Sequence, residues 1–153
     1  MNPALHDRAG FDCGVPELNI YLQRFANQHR LRGIASVFVL TDAGAPDKIL
    51  GYYTLSAAEV DAASLSESDR KHLPRYPLPC FRMGRLAASA GMRRRGIGRL
   101  LVGCAVDRCL KAREQVAAHA LIVDAKDEQA KGFYQHYGFT VFPSQPLALY
   151  LPL

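Results

Sequence analysis

The chain has 153 residues, of which 49% are hydrophobic and 22% are charged, and its formal net charge is +5 at pH 7. This length and composition are typical of one globular domain, here residues 1–153, and they exclude a disordered chain. No apolar run approaches the roughly 20 residues that cross a bilayer, and the N-terminus lacks a signal-peptide core, so we expect a cytoplasmic protein without a membrane partner. The positive charge favours an anionic partner.

Four cysteines are scattered along the chain, at Cys13, Cys80, Cys104 and Cys109. They form no C-x-x-C pair, and no histidine stands at zinc-finger spacing from them, which argues against a zinc site. Free, mostly buried thiols in a reducing compartment fit this pattern better. We therefore expect no metal site.

The N-terminal part of the chain predicts a helix after a short lead. Residues 5–11 fit either a short edge strand or an irregular lead. The segment 12–17 is typical of a helix start, with proline in the first turn and an acid at the positive end of the helix dipole. Leu18, Leu22 and Phe25 recur at helical spacing, which predicts the buried stripe of this helix.

Two strands and a short helix are predicted next. Ser36–Leu40 and Ile49–Ser56 have strand composition, and the turn 42–47 joins them into an antiparallel hairpin. Ser64–Glu67 fits a capping box at the start of a short helix. The proline-rich stretch 74–79 predicts an extended loop that leads into the central strand.

The second half of the chain alternates strands and helices. Phe81–Ala87 is the predicted central strand, and Ala120–Asp124 is a second buried strand. Asp127–Gly138 is a helix that opens with acids and closes on glycine. Thr140–Phe142 and Leu147–Leu151 complete the sheet. The helix that follows the central strand has a predicted buried stripe of Leu100, Leu101, Cys104, Ala105 and Cys109.

The predicted order of elements, β-α-β-β-α-β-α-β-α-β, implies an α/β or α+β domain with a mixed sheet. The central strand, the helix after it and the next strand form a right-handed crossover unit. The sequence shows no internal repeat, low-complexity tract or domain linker, so one domain accounts for all of these elements.

The most informative stretch, residues 92–101, is rich in arginine and contains two glycines two positions apart. Gly96 and Gly98 stand where a loop becomes a helix, so the backbone can direct several N–H groups at one point. The helix dipole and the arginines add positive charge there, which predicts an anion site. A G-x-G pattern also serves ordinary turns, and this one matches neither a Walker A loop nor the dinucleotide-binding fingerprint.

Residues 93–98, R-R-R-G-I-G, resemble the R/Q-x-x-G-x-G/A segment of the GNAT acetyltransferase superfamily, which binds the pyrophosphate of acetyl-CoA. Residues 133–139, F-Y-Q-H-Y-G-F, resemble the end of the last helix in that family, whose tyrosine commonly faces the acetyl-CoA sulfur. The resemblance covers nearly the whole chain. It implies the GNAT fold, a central mixed, mostly antiparallel sheet flanked by helices, with acetyl-CoA as the cofactor.

A narrower resemblance is to the GNAT toxins of bacterial toxin–antitoxin systems, which acetylate the α-amino group of aminoacyl-tRNA and stop translation. It implies an aminoacyl-tRNA substrate, a ribbon-helix-helix antitoxin that carries the pair to operator DNA, and a homodimer. The chain departs from that family in a short lead before Phe11 and in three arginines where Gln-Gly-basic is frequent. The segments that carry the resemblance are Phe11–Gly14, Gly51–Ser56, Leu73–Pro77, Gly84–Ala87, Val123–Asp127 and Leu151–Leu153.

The resemblance also implies a role for each candidate site residue. Tyr134 is the proton donor near the cofactor sulfur, with Tyr137 as the competing candidate. Backbone groups near Leu86 and Ala87 hold the oxyanion and the pantetheine arm. The pyrophosphate-binding residues are Arg93, Arg94, Arg95, Gly96, Ile97, Gly98 and Arg99. The residues assigned to an RNA acceptor stem are Arg24, Arg30, Arg32, Arg75, Arg82 and Arg85.

Simpler interpretations of the same residues stay open. Tyr134 could pack under its helix with a satisfied hydroxyl, and scattered arginines could serve solubility alone. No His/Asp or Glu pair stands out as a general base, but a free α-amino group titrates near 8 and is already partly neutral in the cell. The alternative functions are acetylation of a small-molecule or protein amine, and a corepressor module without transfer activity.

Overall fold

The computed structural model describes residues 1–92 and 95–153. The α-helices are α1 (Pro16–Ile20), α2 (Ala26–Leu31), α3 (Glu67–Arg70), α4 (Ile97–Ala112) and α5 (Glu128–His136), with a π-helical turn, Tyr21–Phe25, between α1 and α2. The strands are β1 (Ser36–Asp42), β2 (Ala45–Val60), β3 (Leu78–Ala88), β4 (Ala120–Asp124), β5 (Thr140–Phe142) and β6 (Gln145–Pro152). Short 3₁₀ turns occupy Ala62–Ser64 and Ala90–Met92. Of the helices within the described ranges, none has both the length and the apolar character needed to cross a membrane.

Six strands form one mixed sheet in the order β1-β2-β3-β4-β6-β5. β3 and β4 are parallel, in a register that runs from Cys80 opposite Ala120 to Met83 opposite Val123. The pairs β1–β2, β4–β6 and β5–β6 are antiparallel. The predicted mixed sheet, the first hairpin and the parallel pair on either side of α4 are therefore confirmed.

The chain divides into two compact units. Unit 1 contains residues 1–56 and 84–106, and unit 2 contains residues 57–83 and 107–153. β2, β3 and α4 each contribute residues to both units. The expectation of one domain over residues 1–153 stays a prediction.

The core of unit 1 is built around aromatic side chains of β2 and the π-helical turn. Tyr52 is fully buried, and its hydroxyl donates a hydrogen bond to the carbonyl oxygen of Leu18 at 2.7 Å. The Tyr52 ring contacts the rings of Phe11 and Tyr21. This aromatic cluster fastens α1 and the segment before it to the sheet, because the tyrosine body packs in the core while its polar end is satisfied by backbone.

The core of unit 2 surrounds Tyr150 on β6. Tyr150 is fully buried, and its ring centroid lies 4.8 Å from that of Phe142. Its hydroxyl donates a hydrogen bond to the Asp69 carboxylate at 2.5 Å and accepts one from the backbone N–H of Ser66 at 3.1 Å. The Ser66 hydroxyl donates to the same carboxylate at 2.8 Å. These bonds fasten the start of α3 to β6.

The lead at residues 5–11 is irregular, so the edge-strand alternative and the first β of the predicted order are wrong. The segment forms a turn in which the Asp7 carboxylate accepts a hydrogen bond from the backbone N–H of Gly10. Its strand-like pairing with the sheet is limited to an isolated bridge between Asp7 and Lys48. A side chain that bonds its own neighbouring backbone offers an alternative to a strand ladder, which explains the difference.

The predicted buried stripe of the first helix is partly wrong. Leu22 is fully buried, but Phe25 is 46% exposed and Ala26 is buried instead. The reason is the π-helical turn, where the N–H of Ala26 bonds to the carbonyl of Tyr21, five residues earlier. One extra residue in that turn rotates every later side chain relative to an α-helical pattern.

Two further helix predictions need correction. The capping residue of α3 is Ser66, not Ser64: the Ser66 hydroxyl accepts a hydrogen bond from the Asp69 N–H, while Ser64 bonds to the carbonyl of Asp61. In α4 the predicted Leu100 and Cys104 are exposed. That helix has apolar residues on almost every side, so spacing alone did not identify the buried face. The buried α4 residues are Ile97, Leu101, Val102, Ala105 and Cys109.

Candidate functional site

The predicted anion site lies at the first turn of α4. Gly96 directly precedes the helix with φ +74°, a left-handed conformation that glycine adopts without strain. Its carbonyl accepts the hydrogen bond of the Leu100 N–H at 3.0 Å, so Gly96 caps a helix of 16 residues. The N–H groups of the next residues have no partner within the helix and point beyond its start. Together with the exposed Arg95 and Arg99 they can bind an anion.

The two glycines of this turn differ in their structural role. Gly96 uses the conformational freedom of glycine, whereas Gly98 is the second residue of α4 and lies in ordinary helix. The predicted residues Arg93 and Arg94 lie outside the described residues. In the described part of the loop, the groups that could bind an anion are therefore the backbone N–H groups from Gly96 onward and the side chains of Arg95 and Arg99.

A second feature of unit 1 is the close approach of β2, β3 and α4 at Gly51. A methyl group at Gly51 would lie 2.9 Å from the carbonyl oxygen of Ala87 and equally close to Leu101. Ala87 is buried and Leu86 is half-buried, on the part of β3 that continues beyond its register with β4. This packing fixes the start of α4 against the strand whose backbone was predicted to hold the pantetheine arm.

Tyr134 lies on α5, in unit 2, and is 7% exposed. The Asp127 carboxylate caps this helix by accepting a hydrogen bond from the Ala130 N–H at 2.8 Å. Phe133 and Phe139 pack edge-on against the Tyr134 ring, at centroid distances of 5.3 and 5.5 Å. Tyr137, the competing candidate, is half-buried and is the C-terminal capping residue of α5.

Burial raises the pKa of Tyr134 to about 12, and the negative charge of Asp124 contributes to the rise. Loss of its proton would place a phenolate in an apolar environment near a carboxylate, which is unfavourable. The Tyr134 hydroxyl therefore keeps its proton across the physiological range. It can donate a hydrogen bond and is a poor general base.

Asp124, at the end of β4, is a candidate site residue that the sequence analysis did not assign. It forms an ion pair with Arg82 on the neighbouring parallel strand β3. The side chains of both residues are more than a third exposed, so the pair contributes little to stability. A single acid after the apolar run Ala120–Val123 is the sequence signal that could have drawn attention to it. Strand ends at the carboxyl edge of a parallel pair are common positions for functional residues.

The arginines predicted to contact RNA are divided between the two units. Three of them have partners within the chain: Arg82 pairs with Asp124, and the Arg85 guanidinium carbon lies 3.6 Å from the centroid of the Tyr21 ring. Arg30 donates to the Asn27 side chain at 2.9 Å. Arg24, Arg30, Arg32 and Arg85 belong to unit 1, and Arg75 and Arg82 belong to unit 2.

Within residues 1–92 and 95–153, no group of three or more His, Cys, Asp or Glu side chains is arranged to hold a metal ion. The cysteines in these ranges are free thiols, and three of the four are buried, as expected. Burial raises the pKa of Cys109 to about 11, so this thiol is unreactive at neutral pH.

Comparison with known proteins relates this geometry to a family. The family model described as an acetyltransferase (GNAT) domain matches residues 33–141. A curated relative, the tRNA-acetylating toxin of Mycobacterium tuberculosis, is 31% identical over 145 residues, which is 95% of this chain and 85% of that protein.

Solved structures with the same fold include two complexes of the protein AtaT. AtaT complexed with acetyl-methionyl-tRNAfMet matches with a TM-score of 0.92 and 30% identity, over 99% of this chain and 91% of that chain. A tyrosine-to-phenylalanine mutant of the AtaT toxin, bound to the C-terminus of the antitoxin AtaR and to acetyl-CoA, matches with a TM-score of 0.82 and 27% identity. That match covers 96% of this chain and 86% of the mutant chain.

Proposed function

Because this chain belongs to the acetyltransferase (GNAT) domain family, we propose that it transfers an acetyl group from acetyl-CoA to the α-amino group of an aminoacyl-tRNA. The observation that carries the substrate is the likeness, at 31% identity over 95% of this chain, to a tRNA-acetylating toxin. The likeness of the fold to AtaT in complex with acetyl-methionyl-tRNAfMet supports the same substrate class. Acetylation of that amine stops translation, so the protein acts as a toxin in the cytoplasm.

The start of α4 fits the pyrophosphate of acetyl-CoA. Gly96 leaves open space where a side chain would otherwise project, and the amides that follow it face away from the helix. Arg95 and Arg99 supply positive charge beside those amides. The residues that would hold the cofactor are Arg93 to Arg99 through pyrophosphate, and Leu86 and Ala87 through their backbone. Acetyl-CoA, when bound, supplies an acetyl group activated as a thioester.

Tyr134 serves as the hydrogen-bond and proton donor to the departing sulfur. Its hydroxyl is protonated at working pH, because burial holds its pKa at about 12. An ordinary thiol has a pKa near 8.5, so complete transfer of the Tyr134 proton to sulfur is uphill and the hydrogen bond itself supplies most of the stabilisation. Tyr137, which is half-buried and three residues further on, is the alternative proton donor, and substitution of each tyrosine tests the assignment.

The acceptor amine needs little help from the protein. An α-amino group titrates near 8, and esterification of the neighbouring carboxyl lowers its pKa further, so a large fraction is neutral at pH 7. A lysine side chain, near 10.4, would need a general base. The absence of an assigned base among the described residues therefore favours an α-amine as the acceptor.

The RNA is held mainly through phosphates. Arg24, Arg32 and Arg75 are exposed, and Arg30, Arg82 and Arg85 add charge while keeping partners within the chain. Such contacts carry little base readout and give an affinity that falls with salt.

We propose an antitoxin as the protein partner, supported by the structure of the AtaT toxin mutant with the C-terminus of its antitoxin. A ribbon-helix-helix antitoxin, operator DNA contacted through that antitoxin, and a homodimer complete the proposal. These last three rest on the resemblance to toxin–antitoxin acetyltransferases. A short reading frame that encodes a ribbon-helix-helix protein beside this gene would support the pairing.

The test is acetyl transfer by the purified chain. Charged tRNAs are incubated with the protein and isotope-labelled acetyl-CoA, digested with nuclease, and analysed by mass spectrometry for acetyl-aminoacyl-adenosine. We expect label on the α-amine, and none on uncharged tRNA. If every charged tRNA stayed unmodified while a polyamine, an aminoglycoside or a protein lysine was acetylated, the proposed substrate would be wrong. Failure to bind acetyl-CoA would favour a corepressor without transfer activity.

A further inference from the structure

The segment from Arg70, the last residue of α3, to Pro77, the residue before β3, has both exposed charge and one exposed aromatic ring. We call residues 70–77 the Tyr76 loop. Tyr76 is 65% exposed, and no hydrogen bond to its hydroxyl occurs within the described parts of the chain. Arg70, Lys71 and Arg75 on the same loop are also exposed.

The Tyr76 loop begins a long stretch of sequence without any negative charge. Between Asp69 and Asp107 there is no Asp or Glu. The same stretch contains nine basic residues, at Arg70, Lys71, Arg75, Arg82, Arg85, Arg93, Arg94, Arg95 and Arg99. Within residues 70–77, the loop supplies three cationic side chains and no acid that would repel a phosphate.

The loop is anchored at both ends. Before it, the hydrogen bonds of Ser66 and Asp69 to the Tyr150 hydroxyl hold α3 on β6. Leu73 packs against the core of unit 2, and Leu78 after the loop is buried in that core. Two prolines, at 74 and 77, fix φ on either side of Arg75 and Tyr76. This segment therefore loses little conformational entropy when a ligand binds at Tyr76.

We propose that the Tyr76 loop binds an unpaired end of the RNA substrate, with a base stacked on the Tyr76 ring and flanking phosphates beside Arg75 and Lys71. Single-stranded RNA is recognised by stacking on aromatic rings next to cationic side chains, and the face of a ring in water is available for that contact. This inference rests on the proposed RNA substrate and adds a subsite to it.

An acidic peptide is the other ligand that positive charge would attract. An amphipathic peptide helix needs a row of exposed apolar side chains to cover. Over residues 70–78, Tyr76 is the one large apolar side chain that is exposed, since Leu73 is half-buried and Leu78 is buried. One exposed ring on a segment with three exposed cationic side chains matches a base between phosphates better than it matches a helix face.

The experiment measures binding of two uncharged RNA hairpins to the full chain. One hairpin carries a short single-stranded 3′ tail with 2-aminopurine, and the other has the same stem without the tail. We expect Tyr76→Ala to weaken binding of the tailed hairpin by about 5- to 150-fold and to abolish the change in 2-aminopurine fluorescence. Tyr76→Phe keeps the ring and should keep both. Arg75→Ala should weaken binding of the tailed hairpin and lower the slope of its log affinity against log salt by about 1.

Matched controls are Val116→Ala and Arg113→Ala, which remove exposed side chains elsewhere in unit 2. Unchanged thermal unfolding and unchanged acetyl-CoA binding would show that each variant is folded. Equal affinity of Tyr76→Ala and the wild type for the tailed hairpin would overturn the inference. So would an equal loss on both hairpins, or a loop that binds a Glu-rich peptide and no RNA.

The inference and the proposed function can fail separately. If the wild type acetylates aminoacyl-tRNA while Tyr76→Ala binds the tailed hairpin normally, the subsite alone is wrong. If the wild type acetylates no charged tRNA, the function is wrong whatever the hairpins show.

Discussion

Gly51 lies so close to Ala87 that a methyl group on its α-carbon would stand 2.9 Å from the Ala87 carbonyl oxygen. The same methyl group would lie 2.9 Å from the Leu101 side chain and 3.1 Å from that of Ile97. The backbone oxygen belongs to a strand and cannot move aside as a flexible side chain would. The spacing of β2, β3 and the first turns of α4 therefore depends on glycine at position 51.

The substitution Gly51→Ala should destabilise the protein and weaken acetyl-CoA binding. We expect the free energy of unfolding to fall by about 1–3 kcal/mol, the usual cost of overpacking, because α4 or β3 must shift to accept the methyl group. Urea denaturation measures the first effect and calorimetric titration with acetyl-CoA the second. Gly103→Ala is the control, since a methyl group there meets no atom within 4 Å. Equal stability of Gly51→Ala and the wild type would show that the close approach is not constraining.

The substitution Gly96→Ala should weaken acetyl-CoA binding through the backbone. Position 96 has open space around it, so the cost comes from holding a residue with a side chain at φ +74°. That conformation costs about 1–2 kcal/mol for alanine, and we expect a loss of affinity of about 5- to 30-fold. Gly96→Asn should lose less, because asparagine tolerates left-handed backbone. If the two variants bound acetyl-CoA equally well, the conformation of residue 96 would not matter for binding.

The substitution Tyr134→Phe should slow acetyl transfer by about 100-fold or more, with little change in stability, if the hydroxyl donates to the departing sulfur. The aromatic contacts with Phe133 and Phe139 stay in place in this variant. Tyr137→Phe, at the residue directly after α5, is the control and should keep most of the activity. A normal kcat for Tyr134→Phe would assign Tyr134 to packing alone.

The rate of acetyl transfer should rise with pH as the acceptor amine loses its proton. It should not fall again until very alkaline pH. Tyr134 is active when protonated, and its pKa is raised to about 12, so it stays competent up to that pH. Asp124→Asn removes the charge that contributes to this rise, and the pKa of Tyr134 should decrease. Absorbance of tyrosinate, corrected with Tyr134→Phe, measures that shift. An unchanged titration in Asp124→Asn would show that burial alone sets the pKa.

The substitution Tyr150→Phe should destabilise the protein by about 1–2 kcal/mol at pH 7. It removes the donor to the Asp69 carboxylate and the acceptor of the Ser66 N–H. The hydrogen bond from Tyr150, with that from Ser66, lowers the pKa of Asp69. A lowered carboxylate pKa gives stability that is present above the unfolded value near 3.9 and is lost as pH falls through the folded pKa. The difference between wild type and variant in urea denaturation should therefore shrink below about pH 4.

Features that depend on neighbouring residues could be predicted from the sequence. Asp127 caps α5, and Gly138 ends it with φ +94°, because capping chemistry is contained within a few positions of the chain. The same applies to Gly96 at the start of α4. The alternation of strands and helices likewise identified the parallel pair β3–β4.

Features that depend on distant residues could not be predicted in the same way. The Arg82–Asp124 pair joins residues 42 positions apart, and nothing local to either one indicates the other. Phe25 is exposed because one hydrogen bond in the preceding turn spans five residues instead of four, and the apolar spacing fits both patterns. Ser64 and Ser66 are equally good capping residues on local sequence alone. Ser66 is the residue that caps α3, and its N–H also donates a hydrogen bond to the distant Tyr150 hydroxyl.

The hydrogen bonds between α3 and β6 can form only late in the synthesis of the chain. Ser66 and Tyr150 are 84 positions apart, so the start of α3 leaves the ribosome long before the hydroxyl that holds it has been made. At about 5–20 residues per second, the wait is roughly 4 to 17 s. During that interval both anchors of the Tyr76 loop are incomplete, because the core that Leu73 and Leu78 join also contains residues of β4 and β6. If the Tyr76 loop binds RNA as proposed, a nascent chain would therefore bind RNA more weakly than the finished protein, and its action on the aminoacyl-tRNA used for its own synthesis would be delayed.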